Sequence, residues 1–165
     1  MILDLKRIFA TEGAVLNIDH SVDMSNVDFM GNFPLKSPVK VTGSVFNKAS
    51  VVSLNLVIEY TFSAPCDRCG VETQHKHTVT VDKLLATAIE RQESDTIITV
   101  PDMKLDVDEF VYSEVILDLP SKHLCSADCK GICPKCGKNL NEGECGCSTH
   151  EVDPRLAKLM ELLNE

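Results

Sequence analysis

Cysteine is the residue of this chain with the most chemistry to offer: there are eight, and six fall between Cys125 and Cys147. Their spacing is Cys125-x3-Cys129-x3-Cys133-x2-Cys136-x8-Cys145-x-Cys147. In Cys133-Pro134-Lys135-Cys136-Gly137 two intervening residues let one tight turn aim both sulfurs at a single ion. The proline prepares that turn, and the glycine allows the positive φ that follows it. Backbone amides in such a turn can donate to the sulfurs and soften their charge. Cys145-Gly146-Cys147 is a tighter clip, in which Gly146 frees the backbone to bring both sulfurs inward. Together Cys133, Cys136, Cys145 and Cys147 make a tetrahedral four-thiolate site for Zn2+, a zinc-knuckle module. Four protein ligands leave no open position, so the site is expected to be structural and not hydrolytic. Metal binding worth on the order of 10 kcal/mol would then become folding energy for a segment with little apolar material.

The remaining four cysteines are less constrained. Cys66-x2-Cys69 supplies two ligands and needs two more, and Cys125 and Cys129 are what the count leaves. They would form a second four-thiolate zinc site tying the two stretches of chain together. Ligand exchange among the six clustered cysteines, or a first pair holding no metal, are the competing readings. A redox dithiol belongs at the start of a helix in a βαβ setting, whereas Cys66 and Cys69 lie between two β-like segments. Disulfides need an oxidising compartment, and buried free cysteines rarely cluster this densely. Of the histidines, His75 and His77 share a strand parity beside Lys76, and His123 and His150 flank the cluster as spare ligands. Where cysteine suffices, ordinary surface histidines are the expected reading. No nucleophile–base pair, phosphate-cradling glycine loop or carboxylate dyad stands out, so no enzyme is expected.

These groups need a scaffold. The chain has 165 residues, of which 44% are hydrophobic and 5% aromatic with no Trp, so a core must rest on Val, Leu and Ile. Net charge is −9, and the sequence 90–118 holds nine acids against Arg91 and Lys104. By contrast 122–138 sets Lys122, Lys130, Lys135 and Lys138 against Asp128 alone. An acidic chain is repelled by phosphate at long range, so any nucleic-acid contact must be local. The opening Met-Ile-Leu-Asp-Leu-Lys-Arg does not read as a signal peptide, and no apolar run is long enough to span a bilayer. The expectation is a soluble, cytoplasmic protein with no membrane partner and no small-molecule substrate.

Periodicity supplies the elements. Residues 1–30 resist assignment: Ile2 to Ile8 fits a strand or a short helix, and Ser21 to Asn32 is loop-like. From Val39 a period of two begins, with Val39, Val41 and Val45 on one side. A turn at Asn47-Lys48-Ala49 leads to a β-rich run from Val51 to Phe62, and a third alternating segment covers Thr73 to Val81. The three read as an antiparallel meander with Cys66–Cys69 at the tip joining the last two. Residues 82–91 fit either a continued strand or a helix. Ile97 to Val100 is a short strand, and Asp106 caps a helix with Val107, Phe110, Val111 and Val115 on one side. Asp153-Pro154 opens a last helix whose stripe of Leu156, Leu159, Met160 and Leu163 must pack on its own domain or on a partner. The fold class is therefore α+β, an antiparallel meander or partial barrel with a few helices. Residues 1–120 form the β-rich domain, and 121–165 the zinc-binding module with its helix.

Several of these stretches have a familiar order. Leu117-Asp118-Leu119-Pro120, Asp128-Cys129-Lys130-Gly131-Ile132-Cys133-Pro134-Lys135-Cys136-Gly137, Cys145-Gly146-Cys147 and Asp153-Pro154-Arg155-Leu156, preceded by Cys66-Asp67-Arg68-Cys69, resemble the bacterial YceD family. The resemblance covers roughly residues 35–163. It implies a factor needed for normal levels of large-subunit ribosomal RNA, and it implies no catalytic residue. On that expectation the chain is a ribosome-biogenesis factor that binds precursor RNA, a basic ribosomal protein, or both. The acidic 90–118 stretch could meet a basic protein, or it could be a solvated loop. RNA would have Lys122, Lys130, Lys135 and Lys138, with Lys36, Lys40, Lys48 and Arg68, to grip its backbone. The alternative is a zinc- and thiol-based redox-responsive protein with no ribosomal role.

Overall fold

The computed structural model describes residues 1–88 and 95–147. His150 and the helix expected from Asp153 lie outside the described residues. The chain divides into two compact units. The first is Met1–Ala64 with Glu72–Lys122, and the second is Pro65–Val71 with His123–Glu165.

The first unit is α+β. In chain order it has β1 (Ile2–Asp4), α1 (Lys6–Ala10), β2 (Val15–Val22), β3 (Val39–Lys48), β4 (Val51–Pro65), β5 (Glu72–Ala86), β6 (Ile97–Thr99), β7 (Lys104–Asp106) and α2 (Val107–Asp118). One sheet has the order β2-β3-β4-β5-β6, and a second pairs β1 with β7. β2 runs antiparallel to β3 and β3 to β4, but β6 joins β5 in parallel, with Leu84 opposite Ile97. The three segments expected to form a meander lie side by side as β3, β4 and β5, and the three-residue β6 makes the sheet mixed; its direction carries no signature in the sequence.

β-branched and aliphatic residues at alternate positions make these strands. On β3, Val39, Val41 and Val45 are fully buried, and on β4, Val52, Leu54, Leu56, Ile58, Tyr60 and Phe62 face the same core. The core accordingly rests on aliphatic residues, with Phe29 and Phe62 meeting edge to face at 6.3 Å. α2 covers it with Val107, Val111 and Val115, all buried. Asp106 caps this helix, its Oδ1 accepting from the amides of Asp108 at 3.0 Å and Glu109 at 3.5 Å. Asp106→Ala is expected to lower stability by about 1 kcal/mol, read from the urea midpoint; an unchanged midpoint would deny the cap its role. No described helix is long and apolar enough to cross a membrane.

Three local expectations need correction. The turn after β3 is not at Asn47-Lys48-Ala49: the strand runs through Lys48, and Ala49 and Ser50 turn it with φ of 52° and 66°. Asn47 is buried instead, where its Nδ2 donates to the Ile8 carbonyl at 2.8 Å and its backbone pairs with Gly13 and Ala14. The loop-like reading of Ser21 onward begins too early, because β2 continues through Val22. His77 is not simply exposed beside Lys76: it is half-buried and stacks on Tyr60, ring centroids 5.1 Å apart. Residues 82–86, open between strand and helix, continue β5.

Candidate metal centres

The second unit begins from an unusual shortage. Its buried residues, among those described, are Cys66, His123, Cys129, Gly131 and Cys133, with no aliphatic side chain among them. Ile132 and Val71 are about half exposed. Among the described residues no apolar core holds this unit, and the cysteines are the groups placed to order it.

The structure brings the eight cysteines into two quartets. Cys66, Cys69, Cys125 and Cys129 form one, and Cys133, Cys136, Cys145 and Cys147 the other; within each, all sulfurs lie within 4.8 Å of one another. In the first quartet Cys66 and Cys129 are 3.8 Å apart and Cys69 and Cys125 are 3.6 Å apart. A disulfide would bring sulfurs to about 2.0 Å. Four sulfurs bound tetrahedrally at about 2.3 Å from one ion stand about 3.8 Å from each other. The donor set and its spacing therefore fit a single tetrahedral metal ion in each quartet, favouring a thiophilic metal over calcium or magnesium. An ion bound by all four sulfurs would offer no position to a substrate.

Two turns of one design present half of these sulfurs. After Cys66-x2-Cys69 the Gly70 amide donates to the Cys66 carbonyl at 2.8 Å, and after Cys133-x2-Cys136 the Gly137 amide donates to the Cys133 carbonyl at 2.9 Å. Both glycines take φ of 73°, which a side chain would resist. The two chain segments of this unit are also tied by polar contacts. The Asp67 amide donates to the His123 carbonyl at 2.9 Å, and the His123 amide donates to Asp67 Oδ2 at 2.7 Å. Arg68 Nη1 donates to the Cys129 carbonyl at 2.8 Å.

The electrostatics of each quartet suit a cation. Burial pushes the Cys66 thiol up, but donation from the amides of Cys125, Arg68 and Cys69 outweighs it and brings the thiol down to about 6. Cys129 is lowered, chiefly by the side-chain amide of Asn141. The partner sulfurs move the other way. Cys125 is pushed up to about 12 by the Cys129 sulfur, with burial adding to it. Cys69 is raised as burial and the Cys66 sulfur override the Val71 amide. The second quartet repeats the pattern: amides of Cys136 and Lys135 bring Cys133 down to about 6, while the sulfurs of Cys136 and Cys145 push Cys147 up to about 12. Cys66, Cys129 and Cys133 are thus prepared for negative charge, while Cys69, Cys125 and Cys147 are held back by neighbouring sulfurs. A divalent ion at the centre removes the conflict.

Other residues singled out in the sequence fall elsewhere. His123 is buried and belongs to neither quartet, so it is not the surface histidine expected from sequence. His75 and His77 lie on β5 in the first unit. Lys130, Lys135 and Lys138 are exposed in the second unit and Lys122 in the first; Lys138 Nζ donates to the Glu144 carbonyl at 3.0 Å. Asn141, which sequence inspection passed over, places its Nδ2 at 3.3 Å from the Cys129 sulfur. No spacing rule marks it, because it meets Cys129 only through the fold of the intervening loop.

Comparison with known proteins gives a consistent set. Residues 54–163 match the model of the family described as large ribosomal RNA subunit accumulation protein YceD. An uncharacterized protein of Mycobacterium tuberculosis is 33% identical over 120 residues, 68% of this chain and 58% of the relative. YlbN of Bacillus subtilis, also uncharacterized, is 29% identical over 131 residues, 78% of this chain and 76% of its own length. The chloroplastic large ribosomal RNA subunit accumulation protein YCED homolog 1 of Arabidopsis thaliana is 25% identical over 153 residues, 74% of this chain and 47% of the relative. The matched region thus spans 55–58% of the length of the mycobacterial relatives. No solved structure gives a significant match.

Proposed function

This chain belongs to the YceD family, and from that premise we propose that it is a non-enzymatic ribosome-biogenesis factor supporting accumulation of large-subunit ribosomal RNA. It works in the reducing cytoplasm, where clustered thiols stay available for metal. Zinc in the two quartets holds the second unit in shape and takes no part in chemistry. The absence of any aliphatic side chain from the described, buried positions of that unit supports this role for the metal.

The direct partner we infer is a basic ribosomal protein, and the charge distribution carries the inference. The first unit sets seventeen acids against ten Lys and Arg. On α2, Tyr112 and Leu117 stand exposed, with Glu109 and Asp118 exposed on the same helix. Apolar anchors beside carboxylates suit a basic protein surface and repel phosphate. The second unit is no better for RNA: its described residues balance Arg68, Lys130, Lys135 and Lys138 against Asp67, Asp128, Glu142 and Glu144. Two zinc–tetrathiolate centres would each add about −2, one divalent ion against four thiolates. RNA contact through Lys122, Lys130, Lys135 and Lys138 is therefore the weaker version.

Pull-down from lysate at low and high salt, with and without RNase, tests this. A basic ribosomal protein is expected to survive RNase and weaken with salt. Loss of every partner with RNase would favour direct RNA binding instead, and no ribosomal material under any condition would end the biogenesis reading.

A further inference from the structure

We propose that Asn141 couples the two cysteine quartets, so that metal in the Cys133 quartet tightens the hold of the Cys66 quartet on its own metal. The inference rests on the metal-binding reading above and goes beyond it, from two separate centres to a linked pair.

The geometry around Asn141 is specific. The Lys130 amide donates to Asn141 Oδ1 at 2.8 Å, which fixes the oxygen end of the side chain and turns the NH2 group the other way. That Nδ2 donates to the Cys129 sulfur at 3.3 Å and to Asn139 Oδ1 at 2.9 Å. Asn139 Oδ1 also accepts from the Asn141 amide at 3.0 Å, so both ends of the Asn141 side chain and its backbone are held. An N–H directed at a thiolate spreads the sulfur's charge and sets its orientation as a ligand, and losing such a partner commonly costs about 10–100-fold in metal affinity.

Asn141 serves one quartet but stands in the loop of the other. It lies in the 3-10 turn Leu140–Glu142, on the stretch of chain that runs from Cys136 to Cys145. The near end of this stretch is fastened by the Cys133 amide on the Lys138 carbonyl at 2.8 Å and the Leu140 amide on the Gly131 carbonyl at 2.9 Å. Its far end has the Lys138 Nζ contact to the Glu144 carbonyl at 3.0 Å, and an ion shared by Cys145 and Cys147 with Cys133 and Cys136 would fasten it further. Metal in that quartet therefore pins both ends of the loop and presents Asn141 to Cys129 with less ordering left to do. By linkage, metal in the Cys66 quartet must favour the Cys133 quartet by the same factor.

The test uses full-length protein loaded with cadmium-113, which gives one NMR resonance per tetrathiolate centre. Cys69→Ser and Cys136→Ser assign the two signals. Asn141→Asp keeps an oxygen for the Lys130 amide, removes the N–H donor and sets a negative charge near the Cys129 sulfur, whereas Asn141→Ala removes the donor without adding charge. Both are expected to move the resonance of the Cys66 quartet and make its ion about 10–100-fold easier to remove with a competing chelator. The Cys133 resonance should persist, which shows the loop still folded. Cys136→Ser alone should loosen the Cys66 quartet similarly, and the double variant should add little, since both changes act through one contact. Additive effects, or a Cys66 quartet indifferent to Asn141→Asp, would overturn the coupling. So would loosening by Asn141→Ala but not by Asn141→Asp, since that makes Asn141 a prop for the loop. A wild-type spectrum with no cadmium signal would overturn the metal reading itself, and the coupling with it.

Discussion

Protein prepared without chelator is expected to carry two equivalents of zinc, and stripping them should dissolve the second unit while the first stays folded. The asymmetry follows from where the apolar core lies. Its buried residues run from Leu5 to Leu119 and all belong to the first unit, whereas the second buries three cysteines, a histidine and a glycine among its described residues. Structural zinc contributes about 10–16 kcal/mol of apparent binding energy, more than the whole net stability of many domains. Cys69→Ser should remove one equivalent and release Pro65–Val71 from the segment starting at His123. Cys136→Ser should remove the other and loosen the loop leading to Cys145. Metal analysis paired with amide NMR reads both. Sharp, dispersed resonances from residues 123–147 in fully metal-free protein would refute the account.

The second large effect is expected in the first unit, at Gly43. It sits mid-strand in β3, opposite Ile18 of β2 and Leu56 of β4. A Cβ built there would stand 2.0 Å from the Asn55 carbonyl oxygen and 2.9 Å from the Leu56 Cα, both backbone atoms that cannot swing aside. Gly43→Ala must therefore pry β3 from β4 in the centre of the sheet. A loss of at least about 1–3 kcal/mol is expected, with a fall in Tm of roughly 2–4 °C for each kcal/mol. Because Gly43 and both cysteine quartets lie in different units, thermal melts should show the same fall with zinc present or stripped. An unchanged Tm would mean the two strands separate at that point without cost.

The sequence made some of this legible and hid the rest for identifiable reasons. β3, β4 and the start of β5 announce themselves, because Val39, Val41, Leu54, Leu56 and their neighbours alternate cleanly over a one-sided core. α2 is equally plain, with Asp106 as cap and Val107, Val111 and Val115 at helical spacing. β2 is hidden because one of its inward positions is His20, whose Nε2 meets Asp108 Oδ1 at 2.8 Å across 88 residues of chain. β1 has no pattern of its own and exists through its pairing with β7. The turn at Ala49-Ser50 carries none of the Asn or Gly that usually marks positive φ, while the neighbouring Asn47 is drawn inside. For the cysteines, the division into two fours could be counted from spacing. Amides donating to Cys133 follow from its turn, but the Cys125 amide at Cys66 and the Asn141 side chain at Cys129 could not be read, since each reaches its sulfur from elsewhere in the chain.

The two-segment make-up of the second unit also sets an order of events during synthesis. Cys69 and Cys125 stand 56 residues apart in the chain yet 3.6 Å apart in the finished protein. At typical elongation rates of about 5–20 residues per second, the early cysteine pair waits roughly 3–11 s before its later partners have been polymerised. During that interval β4 and β5 can already associate, leaving a thiol-bearing loop at their junction. An ion closing the first quartet would thus be a late latch, set only once the first unit has been polymerised. A nascent chain that stalls before Cys125 is left holding an open pair of thiols that other cellular metal carriers or oxidants can reach.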